Sequence, residues 1–78
     1  MAERQVFHST HKDDSWRVLL GGEVLATFDT QKDAQEDAVS RAKAVHDKGG
    51  VAQVIFHNKI GGILEEYTYG KDPERHQG

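Results

Sequence analysis

The 78-residue chain has no cysteine, a single proline and no long apolar run. Without cysteine it can form neither disulfides nor thiolate metal ligands, which fits a reducing compartment. Runs such as VLL and VIF are too short to make a signal peptide or a membrane span. We therefore expect a cytoplasmic protein that has no membrane association and is stabilised by packing alone.

A large excess of charge of one sign is also missing. The formal net charge is -3, and the lysines and arginines are interleaved with the acids. No overall field attracts phosphate, although a local basic face stays open as an alternative. The length predicts one domain, residues 1–78, with frayed ends at 1–4 and 74–78.

The first part of the chain is predicted to form three strands. Residues 5–10 carry β-branched and aromatic side chains, and a polar turn follows at 11–15. Apolar residues then alternate through 16–20 and 24–28, which indicates two strands with one covered face. The Gly21-Gly22 pair between them predicts a tight hairpin, because glycine readily adopts the positive φ of the primed turns.

The middle of the chain changes to a helical period. Thr30 can cap a helix, and Asp33 at the third helical position favours its positive end. Small apolar residues then recur at spacings of four and three: Ala34, Ala38, Ala42 and Val45. This alanine stripe predicts a helix lying close to a sheet, whose strands supply the larger core groups: Trp16, Phe28, Val54 and Phe56.

Two more strands are predicted after the helix, at 51–57 and 63–69, joined by a turn at 58–62. The fold class is α+β: a two-layer β-β-β-α-β-β arrangement, with a mostly antiparallel sheet of about five strands and one helix packed on one side. The first strand carries few charges, and we expect it at an edge of the sheet. Leu19 and Leu25 are expected to point away from the helix.

These segments resemble the bacterial proteins grouped as domain of unknown function 2188. The resemblance rests on the Trp16 strand after an Asp-containing turn, FDTQKDA at 28–34, VIFHNKIGGI at 54–63 and TYGKDP at 68–73. It spans most of the chain, from about Phe7 to Pro73, and implies small soluble bacterial proteins without a known activity. The family pattern usually has a polar residue before the turn glycine, where this chain has Ile60.

No pattern in the sequence predicts catalysis. There is no cysteine nucleophile and no G-x-S-x-G motif, and the glycine pairs do not match phosphate-binding loops. His8 and His11 form H-x-x-H, but residues three apart on a strand point to opposite faces, so we expect no metal site. We predict a protein that is not an enzyme and has neither a cofactor nor a small-molecule substrate.

Binding to another protein, or to a second copy as a homodimer, is the function that we favour. An apolar residue at a turn tip predicts a contact surface, with candidate residues Lys59, Ile60, Tyr69 and Asp72. The alternative is a nucleic-acid-binding module that uses the outer face of the sheet, with candidate residues Arg17, His57 and Lys59. Tyr69 has a second interpretation, in which its ring closes the rim of the core.

Overall fold

The computed structural model describes residues 4–70, which form five strands and one helix. The elements in chain order are β1 (Arg4–Lys12), β2 (Ser15–Leu20), β3 (Glu23–Phe28), α1 (Gln31–Asp47), β4 (Val51–His57) and β5 (Ile63–Tyr69). The five strands form one sheet, and α1 packs on one side of it. The predicted α+β class and element order are confirmed. Of the residues predicted to be frayed, Arg4 is the first residue of β1, while 1–3 and 74–78 fall outside the described residues.

The sheet has the strand order β3-β2-β1-β4-β5. Neighbouring strands are antiparallel except for β1 and β4, which run parallel, with Phe7 beside Val54. The prediction that the first strand lies at an edge is therefore wrong, because β1 lies at the centre. Its low charge reflects pairing on both sides, and the edges of the described sheet are β3 and β5.

Local sequence signals set the bounds of α1. The Thr30 side chain accepts a hydrogen bond from the Asp33 backbone N–H at 3.1 Å, as the predicted cap requires. The helix runs to Asp47 and is followed by the Gly49-Gly50 pair. Within the described chain, α1 is not long and apolar enough to cross a membrane.

The core lies between α1 and the sheet and combines large strand residues with small helix residues. Its buried apolar members are Phe7, Trp16, Val18, Ala34, Ala38, Ala42, Ala52, Val54 and Phe56. Phe28 and Val45, both predicted in the core, are partly buried against it. The alanines let the helix lie close to the strands, and the fully buried Ser9 and Ala52 are the matching small residues on the sheet.

Two-residue turns connect the first three strands. Gly21 and Gly22 both have positive φ (61° and 87°), which confirms the predicted primed hairpin between β2 and β3. Asp13 and Asp14 also have positive φ (54° and 63°) and join β1 to β2. Aspartate tolerates this conformation better than most residues, so the predicted polar turn is tighter than expected.

An irregularity between β2 and β3 changes which side chains face the helix. The pairing shifts between Val18 and Leu19, so that Leu19 lies opposite Val24 instead of Leu25. The extra residue reverses the alternation from there on, as β-bulges do. Leu25 consequently packs against the core, and the prediction that it points outward is wrong. Val24 takes its place on the face away from the helix.

Candidate protein-binding surface on strand β5

Exposed large apolar side chains are concentrated in one stretch of the chain. Ile60, Ile63, Leu64 and Tyr67 are 91%, 57%, 49% and 42% exposed. They lie on β5 and on the turn before it, and we call these four residues the β5 surface. Within residues 4–70, the one further large apolar residue with comparable exposure is Val24, on the opposite edge strand.

Asn58 organises the turn that carries Ile60. Its side-chain oxygen accepts hydrogen bonds from the backbone N–H groups of Ile60 at 3.0 Å and Gly62 at 2.9 Å. Its own N–H donates to the Gly62 carbonyl at 2.8 Å, and Gly61 N–H donates to the Asn58 carbonyl at 3.1 Å. These bonds hold the turn in one conformation, so Ile60 is presented at its tip at little further cost in conformational entropy.

A groove separates α1 from β5, because the helix packs mainly over β4, β1 and β2. The groove has a volume of about 780 Å³. Its apolar lining includes Val39 from the helix and Phe56, Tyr67 and Tyr69 from the sheet, while charged helix residues such as Lys43 line its other side. The groove therefore lies directly beside the edge strand.

Tyr67 and Tyr69 both point to the helix side of the sheet, opposite Val54 and Ala52. The Tyr67 ring packs edge-on against Phe56, with centroids 5.6 Å apart. Its hydroxyl donates to Glu65 at 2.7 Å. This hydrogen bond, followed by desolvation and by the negative charge of Glu65, raises the pKa of Tyr67 above its ordinary value.

Tyr69 is partly buried against the core at the end of β5. The next residue, Gly70, has φ 135° and lies so close to Val51 that an added Cβ would be 3.0 Å from the Val51 Cα atom. Only glycine fits this approach without strain. These contacts support the interpretation that Tyr69 closes the rim of the core.

The opposite face of the sheet carries a histidine pair. His8 Nδ1 and His57 Nε2 are 3.0 Å apart, and His57 Nδ1 is 3.4 Å from the Gly61 carbonyl oxygen. One tautomer satisfies both contacts: His57 donates from Nδ1 to Gly61 and accepts at Nε2 from His8. Partial burial, and then the neighbouring His57, lower the pKa of His8 below its ordinary value.

The same face is the proposed nucleic-acid interface of the sequence analysis. Arg17 lies opposite Thr10 on β1, and its guanidinium is 3.8 Å from the Asp13 carboxylate. His57 ends β4, and Lys59 follows in the exposed turn. The large aromatic residues in the core contact α1 on the other side, so within residues 4–70 this face offers only imidazole rings for stacking on bases.

The predicted protein-binding residues do not form one cluster. Lys59 and Ile60 lie in the turn before β5, whereas Tyr69 lies at the far end of that strand, about 20 Å away at roughly 3.3 Å per residue. The length of β5 therefore separates Tyr69 from the turn tip, and a role for Tyr69 in partner binding stays a prediction. Asp72, the fourth predicted residue, lies outside the described residues.

Neither a metal site nor a carboxylate pair forms in the described part of the chain. Over residues 4–70, no three histidine, aspartate or glutamate side chains come together as metal ligands. His11 packs against Trp16 on the helix side, away from His8, as the strand spacing predicts. Glu65 and Glu66 are consecutive strand residues and point to opposite faces.

Three members of the β5 surface were missed by sequence reasoning: Ile63, Leu64 and Tyr67. The sequence predicted this stretch only as a strand that pairs with β4. It nevertheless contains a signal for a position at the edge of the sheet. Glu65 and Glu66 place an acid on each face of the strand, so neither face can be a dry core. A strand of this kind is typical of an edge.

A bacterial family model described as uncharacterized protein conserved in bacteria (DUF2188) matches residues 7–69. The chain belongs to this family, which confirms the resemblance noted from its sequence. The match runs from β1 to the last residue of β5 and thus includes the groove and the β5 surface. No curated protein and no solved structure matches the chain.

Proposed function

We propose that the chain is a cytoplasmic, non-enzymatic binding module that acts through protein–protein contact at the β5 surface. The observation that carries this proposal is the placement of Ile60, Ile63, Leu64 and Tyr67 on one edge strand and its turn. Ile63 lies opposite His57 on the open face and Tyr67 opposite Val54 on the helix side, so the apolar groups flank the edge on both faces. Clustered exposed apolar residues are unfavourable in water and mark contact sites when they are rimmed by polar groups.

Backbone geometry supports the same function. An edge strand leaves N–H and C=O groups unpaired along one side, and an added strand can bond to them. Side chains of that added strand would alternate between the two faces of the sheet. Those on the helix side would enter the groove beside Val39 and Tyr69, and those on the other side would lie near Glu66.

The turn adds an anchor to this edge. Ile60 is almost fully exposed, and the hydrogen bonds to Asn58 hold its backbone in place. A pre-ordered apolar residue loses little freedom when a partner covers it, so its burial contributes to affinity almost in full. Burying a side chain of this size is worth about 1.5–3 kcal/mol.

The experiment compares two matched substitutions. Ile60→Asp and Val24→Asp each replace an exposed β-branched residue by aspartate, but only the first changes the β5 surface. Immobilised wild type and both variants are incubated with bacterial lysate, and the bound proteins are quantified. We expect a bound protein, or further copies of the chain, to be retained by Val24→Asp and depleted at least tenfold by Ile60→Asp.

Equal capture by all three proteins would contradict the proposal. Thermal unfolding of both variants serves as the control for folding. Because both side chains are exposed, we expect the melting temperatures to remain within a few degrees of wild type.

A second candidate, nucleic-acid binding at the open sheet face, is favoured by the distribution of charge. Arg4, Arg17 and Lys59 lie on or beside that face, whereas Glu66 is the one acidic strand residue facing it within residues 4–70. Asp13 in the β1–β2 turn offsets part of this positive charge, because its carboxylate is 3.8 Å from the Arg17 guanidinium. Sedimentation with mixed duplex and single-stranded nucleic acid, at low and moderate salt, tests this candidate. Binding that weakens with salt and with Arg17→Gln would favour it over protein contact.

A further inference from the structure

We propose that the partner at the β5 surface is a second copy of this chain, with the two β5 strands pairing antiparallel across a two-fold axis. The inference rests on the proposed function, because it names the occupant of the same surface. A two-fold contact uses one patch twice, so the patch must complement itself in hydrogen bonding, shape and charge.

Hydrogen bonding meets this condition because β5 is an edge strand with free backbone groups, and its protective features are limited to Glu65, Glu66 and one irregularity in its pairing with β4. Within residues 4–70, no strand pairs with its outer side. The strand contains neither proline nor lysine, the residues that most often block edge pairing. Antiparallel pairing of two identical strands would satisfy the free backbone groups of both.

Antiparallel pairing of the two edge strands fixes the axis perpendicular to the sheet. An axis perpendicular to the sheet keeps both helices on the same side, so the two grooves meet across the new strand pair. Tyr67 from each copy then lies in the combined groove, beside Tyr69 and Phe56. An axis in the plane of the sheet and along the strands would pair them parallel, place the helices on opposite faces and leave each groove open to water.

Charge determines the register. Paired residues must lie on the same face of the sheet, so the strands can shift only in steps that preserve this alternation. Some registers place Glu65 or Glu66 directly opposite the same residue of the partner, and like charges in that position are destabilising. The longest register that avoids both pairs Tyr67 with the partner's Tyr67, over residues 65–69 of β5. Ile60 and Ile63 then lie beyond the end of the paired segment.

In that register Glu66 lies opposite the partner's Thr68 on the open face. On the helix side, Glu65 lies opposite the partner's Tyr69. Glu65 already accepts a hydrogen bond from a tyrosine hydroxyl of its own strand at 2.7 Å, so a second tyrosine is a compatible neighbour. The two acids of β5 are thus each matched with a neutral hydrogen-bond donor.

The test uses Thr68, an exposed open-face residue on β5 that lies opposite Gln53 within the chain. Thr68→Lys would place an opposite charge across from the partner's Glu66, and Thr68→Glu would place a like charge there. Each change acts twice per dimer, at about 0.2–1 kcal/mol per pair. We expect the dimer dissociation constant to fall about 2- to 30-fold for lysine and to rise by a similar factor for glutamate.

Sedimentation equilibrium of wild type, Thr68→Lys, Thr68→Glu and Ile60→Asp measures these constants, at low salt to limit screening. Opposite shifts for the two Thr68 variants support the inference. Shifts of the same sign, or a monomer at every concentration, overturn it. A dimer weakened by Ile60→Asp but unaffected at Thr68 overturns the β5 pairing and retains the proposed surface. A dimer unaffected by all three variants contradicts both.

Discussion

The buried hydroxyl of Ser9 leads to a quantitative prediction about the core. Ser9 is completely buried at the centre of the sheet, between Val18 on β2 and Phe56 on β4. Its Oγ atom makes no hydrogen bond to any group within residues 4–70. A buried hydroxyl without a partner lowers stability, so Ser9→Ala should increase the free energy of unfolding.

The magnitude follows from two opposing effects. Removing an unpaired hydroxyl from the interior recovers about 1–3 kcal/mol. Removing its oxygen leaves a cavity of roughly 10 Å³, which costs only about 0.2 kcal/mol at 24 cal/mol per Å³. The expected net gain is about 1 kcal/mol or more, and for a domain of this size 1 kcal/mol corresponds to roughly 4–8 °C in melting temperature.

Urea unfolding followed by tryptophan fluorescence is a suitable assay, because the single Trp16 is buried in the same core. Ser9→Ala should raise the midpoint without changing the slope, which indicates a change in stability and not in the surface exposed. Ser15→Ala is the matched control at a partly exposed strand position and should change stability by less than about 0.5 kcal/mol. A lower midpoint for Ser9→Ala would refute the reasoning and show that the hydroxyl makes a stabilising bond.

Two further predictions concern Tyr69 and His8. Tyr69→Ala should lower the free energy of unfolding by about 2–4 kcal/mol, because the ring is partly buried against the core. Thr68→Ala beside it should have little effect. Equal melting temperatures for Tyr69→Ala and wild type would contradict the closing role. The pKa of His8 is lower in the folded protein than its ordinary value of 6.5, so the folded state prefers the neutral ring. The contribution of His8 to the free energy of unfolding should therefore be fully present above about pH 6.5 and be lost as the pH falls through the lowered pKa. In thermal unfolding, His8→Gln should make the decrease in melting temperature with falling pH less steep. Charged or titratable side chains near His8 on its face include Arg4, Arg17 and His57. A wild-type slope in the variant would assign the decrease to another group.

The sequence was sufficient for elements whose signals are local. The cap at Thr30, the alanine stripe of α1 and the glycine hairpin depend on residues only a few positions apart, and each lies where it was predicted. Capping and turn geometry are set by nearby backbone groups, which makes them readable without knowledge of the fold.

The strand order could not be predicted from such local signals. The place of β1 at the centre depends on its parallel pairing with β4, which brings Phe7 beside Val54 across the whole helix connection. The outward prediction for Leu25 failed for a related reason, because one extra residue at Val18/Leu19 reverses the alternation. The contact between His8 and His57 likewise requires the sheet to be assembled first.

The location of the candidate surface follows from the size of a helix relative to a five-stranded sheet. One helix is about 10–12 Å across, whereas five strands spaced about 4.8 Å apart extend over roughly 19 Å between the outer strands. Because α1 is centred over the inner strands, both edges lie beyond its cover. On β3 the irregular pairing turns Leu25 back onto the core and leaves Val24 as the exposed apolar residue. The pairing of β5 also shifts, between Phe56 and His57, yet Ile63 and Leu64 both remain exposed there. The architecture thus leaves two uncovered edges. The edge at β5 combines several exposed apolar side chains, a groove and an ordered turn, and that combination is what a partner strand requires.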